Sequence, residues 1–117
     1  MRSRDPRVAL HDAMMTAEWL ERRCAGISFD QFVSDDILQA AVERKLEVVG
    51  EALARAKRMS PALAEEVPDL HRIIGLRNVL AHGYDVIDCQ EIHLIVTVEV
   101  PGLAAALRRL PGMEDAR

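Results

Sequence analysis

The stretch AVERKLEVVGEALARA, residues 41–56, decides the fold. Val42, Leu46, Val49, Leu53 and Ala56 return every three or four residues, the interval at which one face of an α-helix comes round. Val48 and Ala52 widen that stripe. Gly50 sits inside it at a cost of roughly 1 kcal/mol against alanine, a cost often met where a second helix must come close. The pattern predicts a long helix from about Asp36 to Lys57.

Working outward, the same logic predicts helices on both sides. Upstream, Asp5 reads as an N-cap with Pro6 at the first helical position. Leu10, Met14, Ala17, Leu20 and Cys24 then carry the apolar face until Gly26 stops it. Ser28 opens the connector ISFDQFVSD, whose Phe29 and Phe32 are expected to cap the end of the bundle. Downstream, Ser60-Pro61 starts a short helix that Pro68 ends. A third main helix should run from near Asp69 to about Gly83 on Leu70, Ile73, Ile74, Leu76 and Leu80. The last should begin at Asp88, with a kink or break at Pro101-Gly102 before LAAALRRL. IHLIVTVEV (92–100) is rich in β-branched residues, but no partner strand is visible elsewhere, so it reads as helix. The expected fold is an all-α, up-and-down bundle of about four long helices with short connecting helices, forming a single domain over 1–117.

Composition narrows the function classes. Half the residues are hydrophobic but only 3% are aromatic, so the core must be aliphatic. Fifteen Lys and Arg against nineteen Asp and Glu leave a net charge of −4, which argues against a broad basic coat for nucleic acid. A local basic cleft remains compatible with that total. The charged, Arg-rich start does not read as a signal peptide, and the apolar stretches read as shorter than a membrane span. Cys24 and Cys89 have no ligand-like spacing and are too few for a disulfide framework. The expectation is a cytoplasmic protein with reduced thiols and no membrane partner.

The chemistry concentrates in RNVLAHGYD, residues 77–85. Asn78 and His82 lie one turn apart on one helix face. Arg77 stands about 140° round from His82 on an ideal helix and so flanks it. A histidine titrates near neutral pH and can move a proton to or from a ribose hydroxyl or a leaving oxygen. A guanidinium is permanently charged and grips phosphate with a planar fork. Together they suit metal-free RNA cleavage in which the substrate's own 2′-OH attacks. Asn78 can orient the imidazole or bind a phosphate oxygen, and Tyr84 can stack on a base or contact the backbone. The same residues also fit a plain helix end, with His82 favouring the helix dipole and Arg77 in a surface ion pair.

The arrangement Arg77-Asn78-x3-His82-x-Tyr84 resembles the Arg-x4-His-x-Tyr motif of HEPN-superfamily ribonucleases, and more narrowly the HepT toxins of HepT–MntA toxin–antitoxin systems. AVERKLEVVGEALARA resembles that family's second helix, with Leu46 to Glu51 in register. IIGLRNVLAHGYD (73–85) resembles its motif helix, and ISFDQFVSD its connector. The resemblance spans roughly residues 5 to 110. It implies a homodimer in which two copies of the motif line one cleft. It implies a metal-independent endoribonuclease without cofactor, with His82 as acid/base, Arg77 as its essential partner, and tRNA or mRNA as substrate. It also implies a partner, an MntA-like nucleotidyltransferase antitoxin that neutralises the toxin by adding AMP to Tyr84. Such a nucleotide would bring negative charge and bulk beside His82 and Arg77 and so repel RNA. Gly83 departs from the family, which often has a bulkier residue there.

Other residues read more plainly. Glu47 and Glu51, one turn apart, either pair with Arg77 or Arg44 or form a solvated face. His11, His71 and His93 read as structural or surface residues, and Trp19 as packing. Arg22-Arg23, Arg55-Lys57-Arg58 and Arg108-Arg109 read as solvated faces, with the alternative that two copies meeting across a dimer guide an RNA backbone. No residue set has metal-ligand spacing, and no Gly-rich loop is present to cradle a nucleotide. The competing function is a non-catalytic helical binding module that partners a minimal nucleotidyltransferase, with a purely structural oligomer behind it.

Overall fold

The computed structural model describes the backbone of residues 5–81 and 89–113, and the side chains of all of these except 77–81. Helix α1 spans Pro6–Cys24. Asp5 caps it by accepting from the Arg7 backbone N–H at 2.9 Å, and Pro6 occupies the first turn, where its missing N–H costs nothing. The Arg7 side chain also grips the Asp5 carboxylate, holding it below the ordinary carboxylate range. The helix closes through Gly26 at φ +72°, with the Ile27 N–H returning to the Cys24 carbonyl. Leu10, Ala17, Leu20 and Cys24 are buried as expected, whereas Met14 is only partly covered.

The short α2, Phe29–Val33, starts in a reciprocal capping box between Ser28 and Gln31. Phe32 is fully buried, but Phe29 is 40% exposed, so one of the two expected phenylalanines closes the bundle end. Helix α3, Asp36–Met59, has 24 residues and so runs about 36 Å, most of the molecule's 40 Å length. All five positions of its stripe are buried. Helix α4, Pro61–Ala64, is capped by Ser60, and α5 spans Leu70–Ala81. Asp69, just before α5, takes the left-handed conformation at φ 57°, which a short polar side chain tolerates. The expected boundary residues Gly83 and Asp88 lie outside the described residues.

The last part of the chain corrects two expectations. Helix α6 (Cys89–Leu94), a π-helical turn (Ile95–Glu99) and α7 (Val100–Arg108) form one continuous helix, Cys89–Arg108, with no break at Pro101-Gly102. Proline lacks an N–H and its ring would collide with the carbonyl four residues back. The chain meets this upstream by widening one turn, with the Val100 N–H reaching back to Ile95. The wider turn also suits the core: Ile92, Val96 and Val100 are four apart and would drift round a regular helix of 3.6 residues per turn. Second, this helix is long and apolar enough, by length and composition, to cross a membrane, contrary to the shorter apolar stretches read from the sequence. In the fold its buried residues from Ile92 to Leu107 belong to the core.

Helix α3 packs on α1 and on α5, and α1 also packs on α7. Arg108 on α7 reaches Glu18 on α1 at 2.7 Å. The result is an all-α bundle of four long helices and short connectors, with an aliphatic core and, among the described residues, no strand and no buried polar residue. IHLIVTVEV is helical throughout, with its middle in the π-turn.

Candidate active site

Helix α5 is the platform. Leu70, Ile73 and Leu76 bury one of its faces, and α3 is its main neighbour. Arg77 and Asn78 fall towards its C-terminal end, on described helical backbone. Their side chains, and His82 and Tyr84 altogether, lie outside the described residues.

The first turn of α5 and the start of the last helix carry defined contacts. Arg72, on α5, places its Nε 2.8 Å from Glu99 Oε1 and its Nη2 3.8 Å from Glu91 Oε1, tying α5 to the last helix. The Glu99 side chain is only 18% exposed. At the start of that helix Cys89 donates its S–H to Gln39 Oε1 at 3.3 Å, and Gln39 Nε2 donates to the carbonyls of Phe32 and Val33. His93 Nε2 stands 2.8 Å from the Ile27 carbonyl, so that nitrogen carries the proton. The His93 ring packs edge-on against Phe29 and tilted against Phe32. His93 is therefore a structural clasp, as the sequence suggests. The Arg72–Glu99 and Gln39–Cys89 links had no local signal, because the partners are 27 and 50 residues apart.

Glu47 and Glu51 line an open groove of about 650 Å³ between α1 and α3, with Arg44, Arg55 and Met15 among its other walls. Arg55 pairs with Asp12 across this groove at 3.2 Å. Glu47 is half-buried and Glu51 exposed; whether either meets Arg77 falls outside the described residues. His71 is exposed, its Nδ1 accepting from Lys57 Nζ at 3.3 Å, and His11 is half-buried on α1. Trp19 packs partly against the core beneath the Lys45 ammonium, 4.8 Å from its ring centre. Of the basic groups, Arg22, Arg23, Lys57, Arg58 and Arg109 are exposed, and Arg108 is engaged by Glu18 and Glu21. Among the described residues no group of three or more His, Cys, Asp or Glu is placed to hold a metal ion.

The described residues thus form an all-α bundle whose third long helix carries Arg77 and Asn78 towards its C-terminal end. Comparison with known proteins fixes the family: the model described as ribonuclease HepT-like matches residues 15–110, and the chain belongs to that family. "Putative RNase TTE0752" of Caldanaerobacter subterraneus subsp. tengcongensis is 31% identical over 105 residues, covering 90% of this chain and 93% of its own. "Putative RNase MJ1380" of Methanocaldococcus jannaschii is 30% identical over 103 residues, covering 86% and 92%. "Probable ribonuclease HepT" of Thermococcus cleftensis is 29% identical over 101 residues, covering 86% and 91%. No solved structure matches the chain.

Proposed function

We propose that this protein is the toxin of a toxin–antitoxin system, a metal-independent endoribonuclease. The observation that carries the reading is the complete set Arg77, Asn78, His82 and Tyr84 at the end of the α5 segment, in a chain of the HepT-like ribonuclease family. His82 moves the proton between the 2′-OH, the leaving oxygen and water. Arg77 neutralises the scissile phosphate, whose charge grows as the 2′-oxygen attacks. Asn78 and Tyr84 orient the substrate. The active form is a homodimer with two motifs in one cleft, and it acts in the cytoplasm on tRNA or mRNA without a membrane or cofactor. An MntA-like nucleotidyltransferase neutralises it by transferring AMP to Tyr84, which puts a phosphodiester charge where the RNA phosphate would bind.

The test is cleavage of end-labelled tRNA and mRNA by purified protein in EDTA. His82→Ala and Arg77→Ala should each slow cleavage by about 10²- to 10⁴-fold, the usual contribution of a proton-transfer group. Wild-type rates in both variants, or no cleavage by unmodified wild-type protein, would refute the reading. Incubation with the nucleotidyltransferase and ATP should add AMP to Tyr84 by mass spectrometry, and Tyr84→Phe should take up none.

A further inference from the structure

Glu99 is an expensive residue for its place. Its side chain is 18% exposed in the π-turn, and its Oε1 is sealed from solvent without an aligned hydrogen bond. What offsets its charge is the Arg72 guanidinium, 2.8 Å away on α5. Taking a carboxylate out of water is costly, and a well-packed apolar side chain of similar size often stabilises a fold as much or more. The contact is therefore better explained by what it positions than by the stability it adds.

What it positions follows from the connectivity. Residues 82–88 join Ala81, the end of α5, to Cys89, the start of α6. His82 is the first residue past α5, and Arg77 lies five residues, about 7.5 Å along the axis, beyond Arg72. Helix α3 is the main neighbour of α5, and the direction in which α5 leads to Arg77 depends also on how its first turn is tied to the last helix. Arg72 fixes that relation at two points of the last helix, Glu99 and, more loosely, Glu91. The π-turn contributes by changing the register just where Glu99 stands, and such turns recur at functional sites.

We propose that Arg72 and Glu99 form a charged brace that ties the first turn of α5 to the last helix, and so fixes the direction in which α5 carries Arg77 and the motif beyond it for RNA cleavage. The catalytic part of this inference rests on the ribonuclease reading above. Neither residue touches the reacting atoms; both are positioning residues.

The experiment compares Glu99→Gln, Arg72→Gln and the double variant with wild type, using Arg7→Gln as a control ion pair on α1. Two readouts are taken: kcat and KM for RNA cleavage, and amide hydrogen exchange at residues 77–81 and 89–94. Each single variant should lower kcat by about tenfold to a hundredfold, the scale of a displaced catalytic group, with KM within about twofold. Exchange in the two segments should rise by about tenfold while α1 and α3 stay protected. The double variant should be no worse than either single, because both remove one interaction. Arg72→Lys should recover part of the loss, and Arg7→Gln should change neither readout. Wild-type kcat and exchange in folded variants would overturn the brace. If Glu99→Gln fails to fold, Arg72→Gln, on a side chain 49% exposed, carries the same test. If wild-type protein cleaves no RNA, the ribonuclease reading fails, and exchange alone still decides the brace.

Discussion

Cys24 and Cys89 share a side chain and differ in everything around it. Cys24 is 1% exposed at the end of α1, and burial pushes its thiol above the ordinary range, against a weaker pull downward from Arg23. Cys89 is half-buried at the start of α6 with its S–H given to Gln39. Because the thiolate is the reactive form and must also be reached, Cys89 should react with a thiol reagent at neutral pH at least about tenfold faster than Cys24. Peptide mapping after brief alkylation would check this; equal rates would mean that the end of α1 opens readily. At this scale the sequence makes the candidate chemistry legible, since Arg77, Asn78, His82 and Tyr84 are recognisable by type and spacing. It does not make Arg72 or Glu99 legible. Both look like ordinary surface charges until the fold brings position 72 to position 99, and burial, the property that makes Glu99 unusual, is not a property of sequence.

The elements follow from local signals wherever the decisive contact is local. Asp5, Ser28 and Ser60 each cap a helix within three residues of themselves; Asp5 and Ser60 start theirs where the sequence predicts, whereas the short helix after Ser28 lies in what reads as a connector. Pro101 misleads because its effect is felt upstream: the chain answers the lost N–H by widening Ile95–Glu99 and keeps the helix whole. Gly102 is then a bystander within α7. It is exposed, and a methyl group at its Cα would meet nothing within 4 Å. Gly102→Ala should therefore stabilise the protein by about 0.5–1 kcal/mol, through helix propensity and a less flexible unfolded chain. Urea unfolding would measure this, and a loss of stability would show that the glycine serves the π-turn.

The molecule as a whole is an aliphatic core closed at one end by a single ring. Among the described aromatic residues Phe32 alone is fully buried, with Phe29 partly exposed and Trp19 partly covered. Phe32→Ala removes the largest side chain of that core, so it should cost about 3–5 kcal/mol by thermal or denaturant unfolding. A cost below about 1 kcal/mol would mean that the His93 clasp and Gln39 hold this end without it. The bundle was readable from periodicity because four stripes of small aliphatic residues leave few other ways to bury them. The relation between helices was not, because it depends on contacts such as Arg108 to Glu18, 90 residues apart. The placement of Trp19 has a practical consequence. The chain holds one tryptophan, seated beneath Lys45 in the scaffold, and one tyrosine, at position 84 in the motif. Indole fluorescence therefore reports on the scaffold and phenol absorbance on the motif, so unfolding and chemistry at Tyr84 carry separate optical signatures in the unlabelled protein.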